Sequence, residues 1–205
     1  LVPGPNLSYT TGMSFHLSER PVVSLLPVDG EPSVVLPELE AGKAIEAGFR
    51  PFAYSDEDGY AMAFYEACAA LELADAHLGV ESLRMRLLEA RLLERYAPSV
   101  ELVPADEILS AMRIKKRADE LSAMRRAAKV AEQAFLTWVR GLHAGVTERQ
   151  AAAALIAAVL GAGADGLSFS PIVASGPNGS LPHAVPGDRR FKAGDWIVVD
   201  WGAKV

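Results

Sequence analysis

The 205 residues predict two units of different class: an α/β unit built on a mixed sheet, then the first part of an α+β unit. Three observations carry this. Residues 1–112 hold 7 Lys and Arg against 18 Asp and Glu, whereas residues 113–205 hold 13 against 8. A reversal of charge at one place in a chain marks a change of character such as a domain junction. Short β-rich runs alternate with helical stretches before the reversal, as they do in layered α/β domains. Just beyond it begins a long amphipathic stripe. The expected domains are therefore 1–112 and 113–205, with the junction between Met112 and Ala118.

The elements follow in order. LVPGPNLSYTTG (1–12) reads as the end of a strand already in progress, and it carries no basic segment followed by an apolar leader. VVSLLPV and PSVVL flank Asp29-Gly30-Glu31, a hairpin-like signal. Residues 57–78 and 81–97 read as helices. The second sets Leu83, Leu87 and Leu88 on one face and Arg84, Arg91 and Arg95 on another. Val100 to Val103 is a short strand. The single cysteine, Cys68, falls in an alanine-rich helical stretch and is expected to be a buried structural thiol.

In the second unit Leu121, Met124, Ala128, Ala131, Phe135, Trp138 and Leu142 recur at three- and four-residue spacing, the face of one long helix. Gly141 and Gly145 mark its end. Thr147-Glu148-Arg149-Gln150 fits a capping box, which opens a helix through AAAALIAAVL that stops at GAGADG. WIVVDWGA is an apolar strand ending in Asp200 and followed by Gly202.

Composition narrows the classes. No apolar run reaches the roughly 18 residues of a membrane span. RIKKR (113–117) is too short a basic run to argue for nucleic acid, and helix-surface charge explains it. One cysteine makes the cytoplasm the default compartment. There is no phosphate-binding glycine fingerprint, no CxxC and no HExxH.

Two residues carry chemistry. An aspartate at the end of a buried strand is costly to desolvate unless paired or metal-bound, so Asp200 is either a metal ligand or a structural turn cap. His183 follows Pro182 in a loop holding Gly176, Pro177, Asn178, Gly179 and Ser180, and is either a site residue or a structural or solvated histidine. His16, His77 and His143 have no supporting pattern. Asp188 and Asp195 lie in GDRR and GDW, where solvent-facing turn chemistry accounts for them.

NLSYTTG (6–12), VVLPELE (34–40), HLGVE (77–81), the junction 109–134, GVTERQ (145–150), SFSPIVASGPNGSLPH (168–183) and GDWIVVDWGA (194–203) occur in that order. In order and spacing the chain resembles the creatinase/aminopeptidase P/prolidase branch of the pita-bread metallopeptidases along nearly its full length. The resemblance implies a creatinase-like N-terminal domain followed by the first half of a pita-bread catalytic domain, cut at both ends. It makes Asp200 the first ligand of a two-metal centre and His183 a catalytic pocket residue that orients the peptide. The other ligands, an aspartate, a histidine and two glutamates, would lie beyond Val205. The implied reaction is hydrolysis of the bond preceding proline in a dipeptide or peptide. The implied cofactor is two divalent ions, manganese with cobalt or zinc as substitutes, and the implied assembly a homodimer. Metal-free creatinase-like hydrolysis and a non-catalytic module that binds other proteins are the alternatives. Neither nucleic acid nor membrane is an expected partner.

Overall fold

The computed structural model describes residues 1–205, which divide into two compact units, Leu1–Lys115 and Lys116–Val205. The first contains α1 (Pro5–Thr11), β1 (Val23–Leu25), β2 (Ser33–Pro37), α2 (Ala41–Glu46), β3 (Arg50–Tyr54), α3 (Ala61–Ala70), β4 (His77–Val80), α4 (Leu87–Tyr96), β5 (Glu101–Pro104) and α5 (Asp106–Ile114). β1 and β2 pair antiparallel, with Val23 opposite Val35, while β2 and β3 run parallel. This is the mixed sheet expected, and the hairpin at 22–36 is its first pair. β4 and β5 form a separate parallel pair.

Side chains alternate along a strand, and β2 shows what this does. Val35 joins Phe64, Cys68 and Leu93 on one side. Val34 and Leu36 join Leu7, Met13 and Ala44 on the other. With both faces covered, every residue of β2 is buried.

Several local expectations in this unit are corrected. Residues 5–11 are helical, not extended: Pro5 suits the first turn of α1, and Gly12 closes it with φ 74°. Only Leu1 behaves like a strand residue, exchanging backbone hydrogen bonds with Ser24. The helix expected over 57–78 is confined to 61–70, and His77 begins a strand. The helix expected from residue 81 begins at Leu87. Leu83 thus precedes it, and Leu83 and Leu87 are exposed. The buried face of α4 is Glu89, Leu92 and Leu93, with Arg86 bonded to the otherwise costly Glu89 carboxylate. α5 runs past Met112 to Ile114.

The second unit contains α6 (Ala118–Trp138), α7 (Glu148–Gly161), β6 (Gly166–Leu167), β7 (Ile172–Ser175), β8 (Ile197–Asp200) and β9 (Ala203–Lys204). β7 pairs with β8 and β6 with β9, both antiparallel. The capping box forms as expected: Gln150 N–H donates to Thr147 Oγ1, and Thr147 N–H to Gln150 Oε1. Along α6 only the C-terminal part of the stripe is covered within its unit. Ala134 and Trp138 are buried, while Leu121 and Met124 are exposed. Ala151, Leu155 and Val159 of α7 complete this core, with Val173 and Phe191.

Cys68 is buried as expected, and burial pushes its thiol up to about 11. The thiolate is the reactive form. In the native protein at pH 8, iodoacetamide is therefore expected to leave Cys68 unmodified for hours, and to label it within minutes in 6–8 M urea, roughly full denaturing strength. Mass spectrometry reads the difference. Rapid native labelling would show that α3 opens.

Candidate functional site

Asp200 ends β8, opposite Ile172 of β7. Its position follows from period-two alternation. Ile197 and Val199 pack on the core of the second unit, so Val198 and Asp200 point outward. Asp200 is therefore exposed. The sequence expectation of an aspartate desolvated at the end of a buried strand is corrected: only one face of β8 is covered, and a solvated carboxylate needs no partner to persist.

Two tryptophans fix the ends of this arrangement. Trp201 stacks on Phe135 with ring centres 4.7 Å apart, and its Nε1–H donates to Ala131 O of α6 at 3.0 Å. Trp138 Nε1–H donates to Ala151 O at 2.8 Å, tying α6 to α7. Gly202 permits close approach on the other side. A Cβ there would lie 2.8 Å from Ser168 Oγ, whose hydroxyl donates to Ala203 O while Ser168 N–H donates to Gly202 O.

The segment that leaves β7 at Ser175 and returns to β8 at Ile197 begins with the loop 175–187, which carries His183. Gly179 lies against Val198: a Cβ on it would sit 3.2 Å from Val198 Cγ2. The loop thus crosses the same outward face that bears Asp200. His183 is exposed and takes φ 58°, one of four non-glycine residues with positive φ. That conformation costs roughly 1–2 kcal/mol for a residue with a Cβ, and persists where the surroundings hold it. His183 and Asp200 share no hydrogen bond; the loop that carries the one crosses, at Gly179, the face that bears the other.

The loop's two ends are held by a carboxylate that sequence reasoning treated only as part of a cap. Glu148, in the first turn of α7, is 1% exposed. Its Oε1 accepts from Ser175 N–H and Ser175 Oγ–H, both at 2.8 Å. Asn178 Nδ2 reaches both oxygens at 3.1 Å, and Gly187 N–H reaches Oε2 at 3.2 Å. Burial opposes the charge, but these donors outweigh it and hold the carboxyl below the usual glutamate value. Backbone bonds add to the clamp: Glu148 N–H donates to Arg189 O and Arg149 N–H to Gly187 O.

A second pair extends it. Arg189 donates to Ser175 Oγ and forms a forked pair with Asp195 at 2.7 and 3.0 Å. Asp195 Oδ2 also accepts from Lys192 N–H. The arginine's hydrogen bonds, then the Lys192 backbone bond, hold the Asp195 carboxyl down at about 2. Asp195 was expected in a solvent-facing turn; its side chain is instead largely covered in this pair. Asp188 is exposed, with a surface contact to Arg149. Gly176 sits where this pair meets the loop. Its φ is 50°, and a Cβ would lie 2.5 Å from Arg189 Nη2. Of the signals for the clamp, the sequence displays Gly176 and the acidic first turn of α7. The partners lie 27 to 39 residues from Glu148, and no local pattern names them.

The donor set was tested for a metal. Nowhere do three or more His, Cys, Asp or Glu side chains gather in a way that could hold an ion. Asp200 offers one hard oxygen ligand in an accessible position, whereas a divalent cation of this kind takes about six. The residues of this chain do not by themselves make a metal centre. No helix is long and apolar enough to cross a membrane.

Residues 1–115 match the model of the creatinase/prolidase N-terminal domain, and residues 122–205 match metallopeptidase family M24. An Xaa-Pro dipeptidase of Pyrococcus horikoshii is 30% identical over 99% of this chain and 54% of its own length. A prolidase structure from Thermococcus sibiricus superposes with TM-score 0.90 at 30% identity, over 99% of this chain and 56% of that one. Dipeptidase PepE from Mycobacterium ulcerans gives 0.84 at 31%, over 98% and 54%. The chain spans about half the length of the relatives it matches.

Two outcomes test the clamp. Gly176→Ala is expected to cost about 1–3 kcal/mol of unfolding free energy, because strain at positive φ and the crowded Arg189 act together. A change within about 0.5 kcal/mol in urea titration would contradict the close approach. The Asp195 carboxyl is lowered in the folded state, so its stabilisation is present above the unfolded value of 3.8 and lost as pH falls toward about 2. Asp195→Asn is expected to be less stable than the parent at pH 6, and the gap to narrow on acidification through that window. A gap independent of pH would show that the ion pair contributes nothing.

Proposed function

The chain belongs to the creatinase and prolidase family, and from that premise we propose that it is the amino-terminal part of a metal-dependent Xaa-Pro peptidase, hydrolysing the bond that precedes proline. Its fold is a creatinase-type N-terminal domain followed by the opening part of a pita-bread domain. The observation that carries the functional reading is geometric. An accessible carboxylate, Asp200, stands on the outward face of β8, and the loop that carries His183 is clamped across that same face.

In this reading Asp200 supplies one oxygen ligand to a centre of two divalent ions, and residues outside this chain supply the others. Oxygen-rich donor sets suit manganese, with cobalt or zinc as substitutes. His183 donates a hydrogen bond to the substrate carbonyl or to the oxyanion that develops from it, and so orients the peptide. Its exposed side chain sits at a left-handed backbone position in a loop tied at Ser175 and Gly187, which supports this reading. The N-terminal domain, 1–112 with the rest of α5, is not asked for a reacting group. A homodimer in the cytoplasm acting on dipeptides or peptides with proline in second position completes the proposal. The names of the similar proteins, Xaa-Pro dipeptidase and prolidase, support the substrate class.

In the complete protein, Asp200→Ala is expected to lose metal and X-Pro cleavage together. Retained metal with full activity would make Asp200 a structural residue. His183→Ala is expected to keep its metal and lose roughly 10²-fold or more in kcat, as removal of an oxyanion donor does elsewhere. Residues 1–205 alone are expected to show no saturable manganese binding by calorimetry and no cleavage of X-Pro peptides. Tight binding by this piece would mean that donors other than Asp200 have been overlooked.

A further inference from the structure

The proposed reaction uses Asp200 and His183 and leaves Glu148 without a task. Yet Glu148 is the most heavily bonded carboxylate of its unit. It takes donors from Ser175 and Asn178, where the His183 loop starts, and from Gly187, where the loop ends. A helix needs none of this from its first-turn glutamate; the cap of α7 is already supplied by Thr147 and Gln150. Burying a carboxylate so thoroughly is costly without compensation, and every hydrogen bond that its side chain accepts comes from one loop. Between the two clamped ends lies His183 at φ 58°, a backbone state that relaxes unless it is held.

We propose that Glu148 is a positioning residue that acts through His183: its carboxylate closes both ends of the 175–187 loop and thereby holds the His183 backbone in its left-handed, outward-facing conformation. The inference rests on the functional reading of His183 above. It predicts coupling between two residues that do not touch. Gln in place of Glu148 keeps the shape, but its amide nitrogen turns a donor toward Asn178 Nδ2 or Gly187 N–H. The clamp then loses side-chain bonds to the loop, and the backbone bonds from Glu148 and Arg149 to Arg189 O and Gly187 O are left to hold its far end.

The test is a double-mutant cycle in the full-length protein. Glu148→Gln alone is expected to lower kcat on an X-Pro dipeptide by roughly 10- to 100-fold, the effect of an ångström-scale misplacement. In a His183→Ala background the same change is expected to cost less than about 2-fold, because the group it positions is gone. An equal loss in both backgrounds would overturn the proposal and leave Glu148 as a general stability residue. Amide hydrogen exchange supplies a readout that does not depend on activity. Glu148→Gln is expected to speed exchange in 175–187 and leave Leu155 and Val159 of α7 protected. Uniform acceleration, or none in the loop, would overturn it as well. If the parent protein cleaves no X-Pro bond, the functional reading fails, and the exchange experiment alone decides whether Glu148 holds the loop. Should Glu148→Gln not fold, Ser175→Ala removes one donor from the cage. The same coupling to His183 is then expected at smaller size, and its absence counts against the proposal.

Discussion

The Glu148 carboxylate is nearly sealed from water and still ionised, a combination that only several donors at once can maintain. Desolvation alone would drive it toward the neutral acid. The Ser175, Asn178 and Gly187 donors reverse that, helped by the positive end of α7, in whose first turn the residue sits. Because each donor belongs to the end of β7 or to the chain segment that follows it, satisfying the charge and fixing that segment are one event. Arg189 then ties Ser175 to Asp195, and Asp195 takes the Lys192 amide just before β8 begins. The end of β7, the loop, its return and the entry to β8 are thus fastened to a single helix terminus. Hydrogen bonds to charged groups contribute about 1.5–3 kcal/mol each, and losing one partner of a buried charge costs more than any single bond suggests.

A clamp of this kind needs a rigid counterpart. β8 provides it by presenting Ile197 and Val199 to the core and Val198 and Asp200 outward. Trp201 prevents the strand from slipping, since its ring stacks on Phe135 and its nitrogen is committed to Ala131 O. A slip of one residue would turn every side chain of β8 to the opposite face. Asp200 is therefore placed by its neighbours' burial and not by any contact of its own.

The limits of the sequence follow from these distances. The hairpin of β1 and β2, the capping box of α7, the strand ending at Asp200 and the buried Cys68 rest on signals within a few residues, and each was legible. The same local reading ran the helix of α3 into His77, because LELADAHL lacks the glycine or proline that would have stopped it. It treated Pro5–Thr11 as extended although Pro5 and Gly12 bracket it as a helix. It started the helix at residue 81, with Leu83 and Leu87 on one face, because the start of α4 at Leu87 carries no side-chain cap. Glu148 and Asp195 were beyond reach for a different reason. Both look like surface residues until the fold supplies partners, and the partners of Glu148 are 27 to 39 residues away. Charge is cheap to read as solvated; its burial is a property of tertiary structure alone.

The same clamp holds its charges along the pH axis near neutrality. Glu148 is held below the ordinary carboxyl value of 4.5, Asp195 near 2, and Arg189 is raised by its hydrogen bond to Asp195. A carboxyl with a lowered value contributes stability that is complete above its unfolded value and lost only as pH falls through the folded one. An arginine with a raised value contributes below its unfolded value and loses that only in strong base. Between roughly pH 5 and 11 none of the three changes charge. Over that span the charges that hold the loop stay the same. Groups that do not titrate near neutrality therefore fix a strained loop whose hold does not depend on pH there.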